Sequence, residues 1–255
     1  MNLLYIIIFF LLGTFFGSFY TVVGERLPKH EDFIKKRSHC DKCGHVLSFI
    51  DMIPIVSYLF LRGKCRYCKE KVSNISTWME LFTGVLFALS YFTFGFSYDF
   101  LYALGIVSLL IILSVSDITY FIIPDEVLIF FSGYFVIITT LKSGIVMALT
   151  SIASGAALFI FMYLVMLLGN FLFKKESLGG GDIKLMFVVG LVLNPFLGLL
   201  VIFIASFIAL PVSLLILWKT KNNLVPFGPF LLIGFMFLFF TGINMQMAID
   251  FIKSI

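Results

Sequence analysis

Charged residues are sparse along this chain, and the distances between them set its architecture. Positions 3–23 carry no charge over 21 residues, and roughly 20 apolar residues suffice for a helix to cross a bilayer. Further uncharged runs lie at 81–98, 100–116, 127–141 and 143–173. The fourth run is short, so its helix is extended back towards Asp125. The run at 185–218 has 34 residues. At 1.5 Å per residue it would reach about 51 Å, too long for one span of a roughly 30 Å core. Asn194-Pro195 offers a break, because proline removes a backbone donor and disfavours helix before it. A last run at 222–249 opens on Pro226-Phe227-Gly228-Pro229. The pattern predicts an all-α polytopic membrane protein of about eight transmembrane helices. Its segments are a first helix at 1–23, a polar insert at 24–77 and a core of about seven helices at 78–255.

The first run could also be read as a cleaved signal peptide. No Lys or Arg precedes it, however, and Gly24-Glu25-Arg26 makes a poor cleavage site. It is therefore read as a retained helix. Gly13 and Gly17 give it a small-xxx-small edge for helix packing. No internal repeat is evident.

Composition agrees with the pattern. Hydrophobic residues make up 61% of the 255 and charged ones 13%, against about 45–50% and 25% in soluble domains. Mean hydropathy is +1.10. A cytosolic globule, a secreted disulfide scaffold and a disordered chain are excluded. The net charge is only +4, but it is unevenly placed: 11 of 18 Lys and Arg residues fall between Glu25 and Ser76. Such a surplus marks the cytoplasmic face and anionic lipid; nothing favours nucleic acid. With the insert in the cytoplasm, 16 of the 18 basic residues lie inside, leaving Lys142 and Lys253 outside. Both termini then lie outside.

All four cysteines sit in the insert, as Cys40-x-x-Cys43, then 21 residues, then Cys65-x-x-Cys68. Two CxxC pairs at this separation suit a tetrahedral four-thiolate zinc site. Four Cys ligands leave no open position for water, so the metal would be structural. The alternatives are two disulfides, a redox pair, or His39 or His45 in place of one Cys. A reducing compartment favours metal.

Two carboxylates stand out among the spans. Asp117 ends the third, and Asp182 follows Gly179-Gly180-Gly181 at the opening of a later one. Two intervening spans return both to one membrane face. Paired carboxylates can divide acid–base work, one taking a proton from water and the other giving one to a leaving amine. The bland alternative is that each caps a helix. Asp125 reads as a helix cap, Glu80 and Asp99 as markers of span ends, and Lys184 as an interfacial residue facing away from Asp182. No His lies outside the insert, so neither a Ser–His pair nor an HExxH site can form in the membrane. Peptide cleavage there would have to use aspartates.

Several motifs now occur in order. They are Gly13-Thr14-Phe15-Phe16-Gly17-Ser18-Phe19 running to Arg26-Leu27-Pro28, the paired CxxC insert, and Asp117 with Pro124-Asp125. Gly179-Gly180-Gly181-Asp182-Ile183-Lys184-Leu185 and Pro226-Phe227-Gly228-Pro229 follow. Together they resemble the bacterial type IV prepilin peptidases, aspartic GxGD-type membrane proteases, over nearly the whole chain. The resemblance implies removal of a short basic leader from prepilins and pseudopilins after a Gly, at the cytoplasmic face of the inner membrane. It also implies N-methylation of the new amino terminus by S-adenosylmethionine. By motif match, Asp117 and Asp182 are the catalytic pair, with Gly179, Gly180, Gly181, Pro226 and Gly228 shaping the active-site loops. Zn2+ would be held by Cys40, Cys43, Cys65 and Cys68. Many relatives carry a second Asp two positions after the first, where this chain has Thr119. No residue here independently identifies a methyl-donor site, and the insert is too short for a separate doubly wound nucleotide domain. A protease without methyltransferase activity and a zinc-stapled membrane assembly or transport protein remain as alternatives.

Overall fold

The computed structural model describes residues 2–40, 42–174, 178–220 and 225–243. The chain forms two compact units, Met1–Phe100 and Leu101–Ile255.

In the first unit, α1 (Leu3–Arg26) packs along α3 (Ile75–Phe94). The contact is made at the glycines expected of a packing edge. A Cβ on Gly13 would lie 2.7 Å from the Thr83 carbonyl oxygen, and one on Gly17 would lie 2.8 Å from Glu80 Cα. Backbones this close allow no side chain between them. At one end of the pair, Phe9 stacks on Tyr91 at 5.1 Å and meets Phe100 edge-on at 4.8 Å. Between α1 and α3 lies the polar insert, with 3₁₀ turns at Leu27–Lys29 and Phe49–Met52 and one short helix, α2 (Val56–Phe60). Asp51 ties it together. Its Oδ2 accepts from Ser48 N at 3.1 Å and Ser48 Oγ at 2.6 Å, and its Oδ1 pairs with Arg66 Nε at 2.6 Å. These donors, the Ser48 hydroxyl foremost and the Arg66 charge after it, hold the Asp51 carboxyl below its usual range.

α4 (Tyr98–Tyr120) leads into the second unit, which continues through α5 (Asp125–Ser143), α6 (Ile145–Phe173), α7 (Gly180–Val192), α8 (Pro195–Thr220) and α9 (Gly228–Thr241). α4 is 83% buried over its apolar window and α8 only 11%, so α4 is a core helix while α8 presents its side chains outward, as to lipid. α7 meets α6 where a Cβ on Gly190 would stand 2.6 Å from Gly155 Cα.

The described residues thus hold eight apolar helices in the expected order. Six of the helices are long and apolar enough to cross a membrane, whereas α7 and α9 have 13 and 14 residues. The break at Asn194-Pro195 is realised: α8 starts on the proline, and Asn194 Oδ1 accepts the Leu197 N–H at 2.9 Å. Two sequence readings are corrected. α3 begins at Ile75 rather than near residue 81, so Glu80 lies in its second turn, 7% exposed. Asp125 is the first residue of α5, whose cap position is Pro124 with no side-chain cap bond. Part of the last expected run, at 222–224 and 244–249, lies outside the described residues.

Candidate active site and metal centre

Asp117 stands near the end of α4 and Asp182 in the first turn of α7. The two are 6% and 8% exposed, and their carboxyl groups are close enough to interact through charge. Neither caps its helix. The cap position of α7 is Gly179, and Asp182 contributes its backbone N–H to the Gly179 carbonyl at 3.1 Å. Gly228, at the start of α9, donates its N–H to Asp117 Oδ2 at 3.1 Å. Asp117 therefore lies between the C-terminal end of its own helix and the N-terminal end of α9. Asp182 Oδ1 is buried and takes no hydrogen bond from the described residues.

The three glycines act differently from one another. None has a positive φ, so conformational freedom is not their purpose; only Gly179 is extended, and Gly180 and Gly181 are already helical. The expectation that all three lie in an active-site loop is corrected accordingly. Gly181 is instead a point of close approach, where a Cβ would stand 2.7 Å from Ile123 Cβ. Ile123 also reaches Gly228, its Cδ1 lying 3.1 Å from where a Cβ there would stand. One side chain from the α4–α5 connection thus wedges against the entries of both α7 and α9. The connection turns at Phe121, whose φ is +56° and whose N–H is bonded to the Asp117 carbonyl at 2.9 Å. Nothing in the sequence singled out Ile123. Pro226 is half-buried just ahead of Gly228.

Lys184 was expected to snorkel, and it does face away from Asp182. Its Nζ is bidentate on Asp125, at 2.8 and 2.7 Å. The pair joins the starts of α5 and α7, and both side chains are half-exposed.

In the insert, the Sγ atoms of Cys40, Cys43, Cys65 and Cys68 lie within 4.8 Å of one another, with Cys40 and Cys68 at 3.9 Å. Tetrahedral zinc with Zn–S near 2.3 Å requires sulfurs about 3.8 Å apart. The four sulfurs fit such an ion, and the cluster includes neither His39 nor His45. His45 stacks on Tyr67 at 3.6 Å. Backbone N–H groups of Cys43 and Lys42 draw the Cys40 thiol down to about 7, whereas burial and the neighbouring thiols push Cys68 up to about 11, so Cys40 is the member most ready to meet a metal as thiolate.

The two CxxC turns also correct the absence of a repeat. Cys40 N donates to His45 O at 2.9 Å, and Cys65 N to Glu70 O at 2.8 Å. Gly44 N returns to Cys40 O at 2.8 Å, and Lys69 N to Cys65 O at 3.0 Å. An isolated bridge pairs His39 with Val46 in the first turn and Lys64 with Lys71 in the second. The same knuckle is built twice, 25 positions apart, with little shared sequence besides the cysteines. Gly44 and Lys69 occupy the equivalent left-handed position, at φ +69° and +61°.

Known families match over most of this chain. The model of the bacterial peptidase A24 N-terminal domain matches residues 11–94, and that of the type IV leader peptidase family matches residues 104–214. A prepilin leader peptidase/N-methyltransferase of Bacillus subtilis (strain 168) is 37% identical over 187 residues, covering 73% of each chain. One of Vibrio cholerae is 32% identical over 262 aligned positions, covering 94% of this chain and 98% of its own. One of Myxococcus xanthus is 32% identical over 195 residues, covering 73% of this chain and 56% of its own. No solved structure matches.

Proposed function

Because the chain belongs to the type IV leader peptidase family, we propose that it removes the leader of type IV prepilins and pseudopilins at a membrane surface and then N-methylates the new amino terminus. The observation that carries the peptidase half is the pairing of Asp117 with Asp182, two buried carboxyl groups on different helices within reach of one another's charge. One carboxylate accepts a proton from the attacking water. The other donates one to the leaving amine, and the resulting protonation states exchange to restart the cycle. The Gly228 N–H holds Asp117 in place, and the Oδ1 of Asp182 is buried without a hydrogen bond from the described residues. Gly179, Gly180, Gly181, Pro226 and Gly228 shape the approach to this pair.

The face on which this chemistry occurs is the cytoplasmic one, because that orientation places 16 of 18 basic residues inside. The metal of the insert is Zn2+, held by Cys40, Cys43, Cys65 and Cys68 in a closed site that supplies folding energy rather than catalysis. The methyl donor is S-adenosylmethionine. Support for methylation comes from the Bacillus subtilis and Vibrio cholerae relatives, which are prepilin leader peptidase/N-methyltransferases.

The test is the full-length protein in liposomes with a purified prepilin, read by mass spectrometry. Wild type should give a product cut after Gly and heavier by one CH2. Asp117→Asn and Asp182→Asn should each lower cleavage by at least about 100-fold while inserting normally. Undiminished cleavage in both variants would refute the aspartate reading, and no cleavage by wild type would leave the zinc-stapled assembly or transport alternative. Cleavage without added mass would leave a peptidase alone.

A further inference from the structure

Glu80 takes no part in the aspartate site, yet its burial asks for an explanation. It is 7% exposed, and among the described residues its carboxylate meets two neutral donors, the Ile55 N–H at 2.8 Å to Oε2 and the Ser18 hydroxyl, with no cationic partner. Two other acids of the first unit are answered by charge, Asp51 by Arg66 at 2.6 Å and Glu31 by Lys36 at 2.5 Å. A buried carboxylate without a counter-charge is costly. The backbone that serves it is strained as well, because Ile55 holds a φ of +62°, a region β-branched residues rarely enter. Strain of this kind collects at functional sites.

A cavity of ≈ 660 Å³ lies beside Glu80 within the same unit, inside the roughly 300–1,000 Å³ usual for small-molecule sites. Its walls include Ser18, Phe19, Arg26, Lys29, Tyr58 and Glu80. We propose that this cavity is where the new amino terminus is methylated, and that Glu80 is the proton acceptor of that reaction. The inference rests on the N-methyltransferase half of the function proposed above. The chemistry of the walls suits both reactants. Glu80 supplies the negative charge that a substrate ammonium and a sulfonium donor require. Arg26 and Lys29 offer positive charge to the donor's carboxylate, and Phe19 and Tyr58 offer flat faces to its adenine.

The step balances. The terminal ammonium gives one proton to the Glu80 carboxylate, and the freed nitrogen lone pair forms the N–C bond to the donor's methyl carbon. The C–S bond breaks with its electron pair moving to sulfur, which leaves as a neutral thioether. The product is a secondary ammonium that keeps its two remaining N–H protons, and the carboxyl proton of Glu80 returns to solvent through the cavity mouth.

The experiment uses full-length Glu80→Gln in liposomes with prepilin and S-adenosylmethionine. Cleavage and metal content should match wild type, while the methylated fraction formed per unit time falls by about 100-fold or more. Raising the pH above the terminal amine's ordinary value of about 8 should restore part of the rate, because solvent then supplies the neutral amine. Calorimetric titration with S-adenosylhomocysteine should show that the variant still binds the thioether product. If wild type leaves its product unmethylated, the methyltransferase reading itself fails. If wild type methylates and Glu80→Gln does so equally well, the role of Glu80 is overturned. Should Glu80→Gln release the metal, Phe19→Trp replaces it as the test, filling the cavity while sparing the carboxylate. Methylation and S-adenosylhomocysteine binding unchanged by Phe19→Trp would overturn the proposal.

Discussion

Gly228 and Asp117 are joined by one hydrogen bond across 111 positions of sequence, the glycine N–H donating to Asp117 Oδ2 at 3.1 Å. A Cβ on Gly228 would stand 2.9 Å from that same oxygen. Bond and close approach are inseparable, so any side chain at 228 must displace the carboxylate it holds. Gly228→Ala should therefore lower prepilin cleavage by at least about tenfold, since misplacement of a reacting group by about 1 Å can cost 100-fold. Metal content and membrane insertion should not change. A wild-type cleavage rate in this variant would show that Asp117 tolerates the displacement.

Gly181→Val should abolish cleavage for a different reason. The clash falls on Ile123 Cβ, at 2.7 Å, and a Cβ cannot swing aside as the far end of a flexible side chain can. The entry of α7 must then shift as a body, carrying Asp182 one residue away. Because the obstructing atom is Cβ, Ile123→Ala should not rescue Gly181→Val. Recovery of cleavage in the double variant would show that the outer atoms of Ile123 set the spacing.

Spans and site differed in how legibly the sequence carried them. Uncharged runs and Asn194-Pro195 placed all eight helices in order, because helix length and proline chemistry act locally. Asp117 and Asp182 were legible because an acid in an apolar run has few bland explanations. What the sequence hid depends on contacts between distant segments. Glu80 looked like a span marker because its hydrogen bonds come from Ser18 and Ile55, and the wedge at Ile123 is one isoleucine among many. Asp125 was read as a cap from its neighbour Pro124, whereas its partner Lys184 lies 59 positions away. The doubled knuckle leaves no trace in the sequence beyond its cysteines because it repeats hydrogen bonds rather than residues.

Exchange of that ion pair should do little. Lys184 and Asp125 are 50% and 55% exposed at the side chain, and pairs of this kind contribute about 0–1 kcal/mol. Lys184→Gln should leave cleavage within about threefold of wild type and shift thermal unfolding only slightly. A loss comparable with that of Asp182→Asn would mean that the pair positions α7 for catalysis.

Metal removal should act on the insert first. The four thiolates close the site without an open position, and a small polar segment gains much of its folding energy from the ion. Chelation, or Cys65→Ser at the buried member of the set, should release about one Zn2+ per chain. Protease nicking within 27–74 should rise sharply while the membrane helices stay protected. A metal-free protein with an equally protected insert would refute a structural ion.

The doubled knuckle allows a paired test, since its two copies place different residues at one backbone position. Lys69 holds φ +61° where Gly44 holds +69°. The left-handed region costs a residue with a Cβ about 1–2 kcal/mol, and glycine returns about 0.4–1 of this through its more mobile unfolded chain. Lys69→Gly should accordingly stabilise the second knuckle by roughly 0.5–1 kcal/mol. Gly44→Ala should destabilise the first by a similar amount, although nothing lies within 4 Å of the added Cβ, so no clash can account for the loss. The rate of metal loss to a chelator reads both changes, slower in Lys69→Gly and faster in Gly44→Ala. Because Lys69 is exposed and its N–H stays bonded to Cys65 O in either case, the difference isolates backbone conformation. Faster metal loss from Lys69→Gly would mean that the lysine side chain, not the turn, holds the second knuckle together.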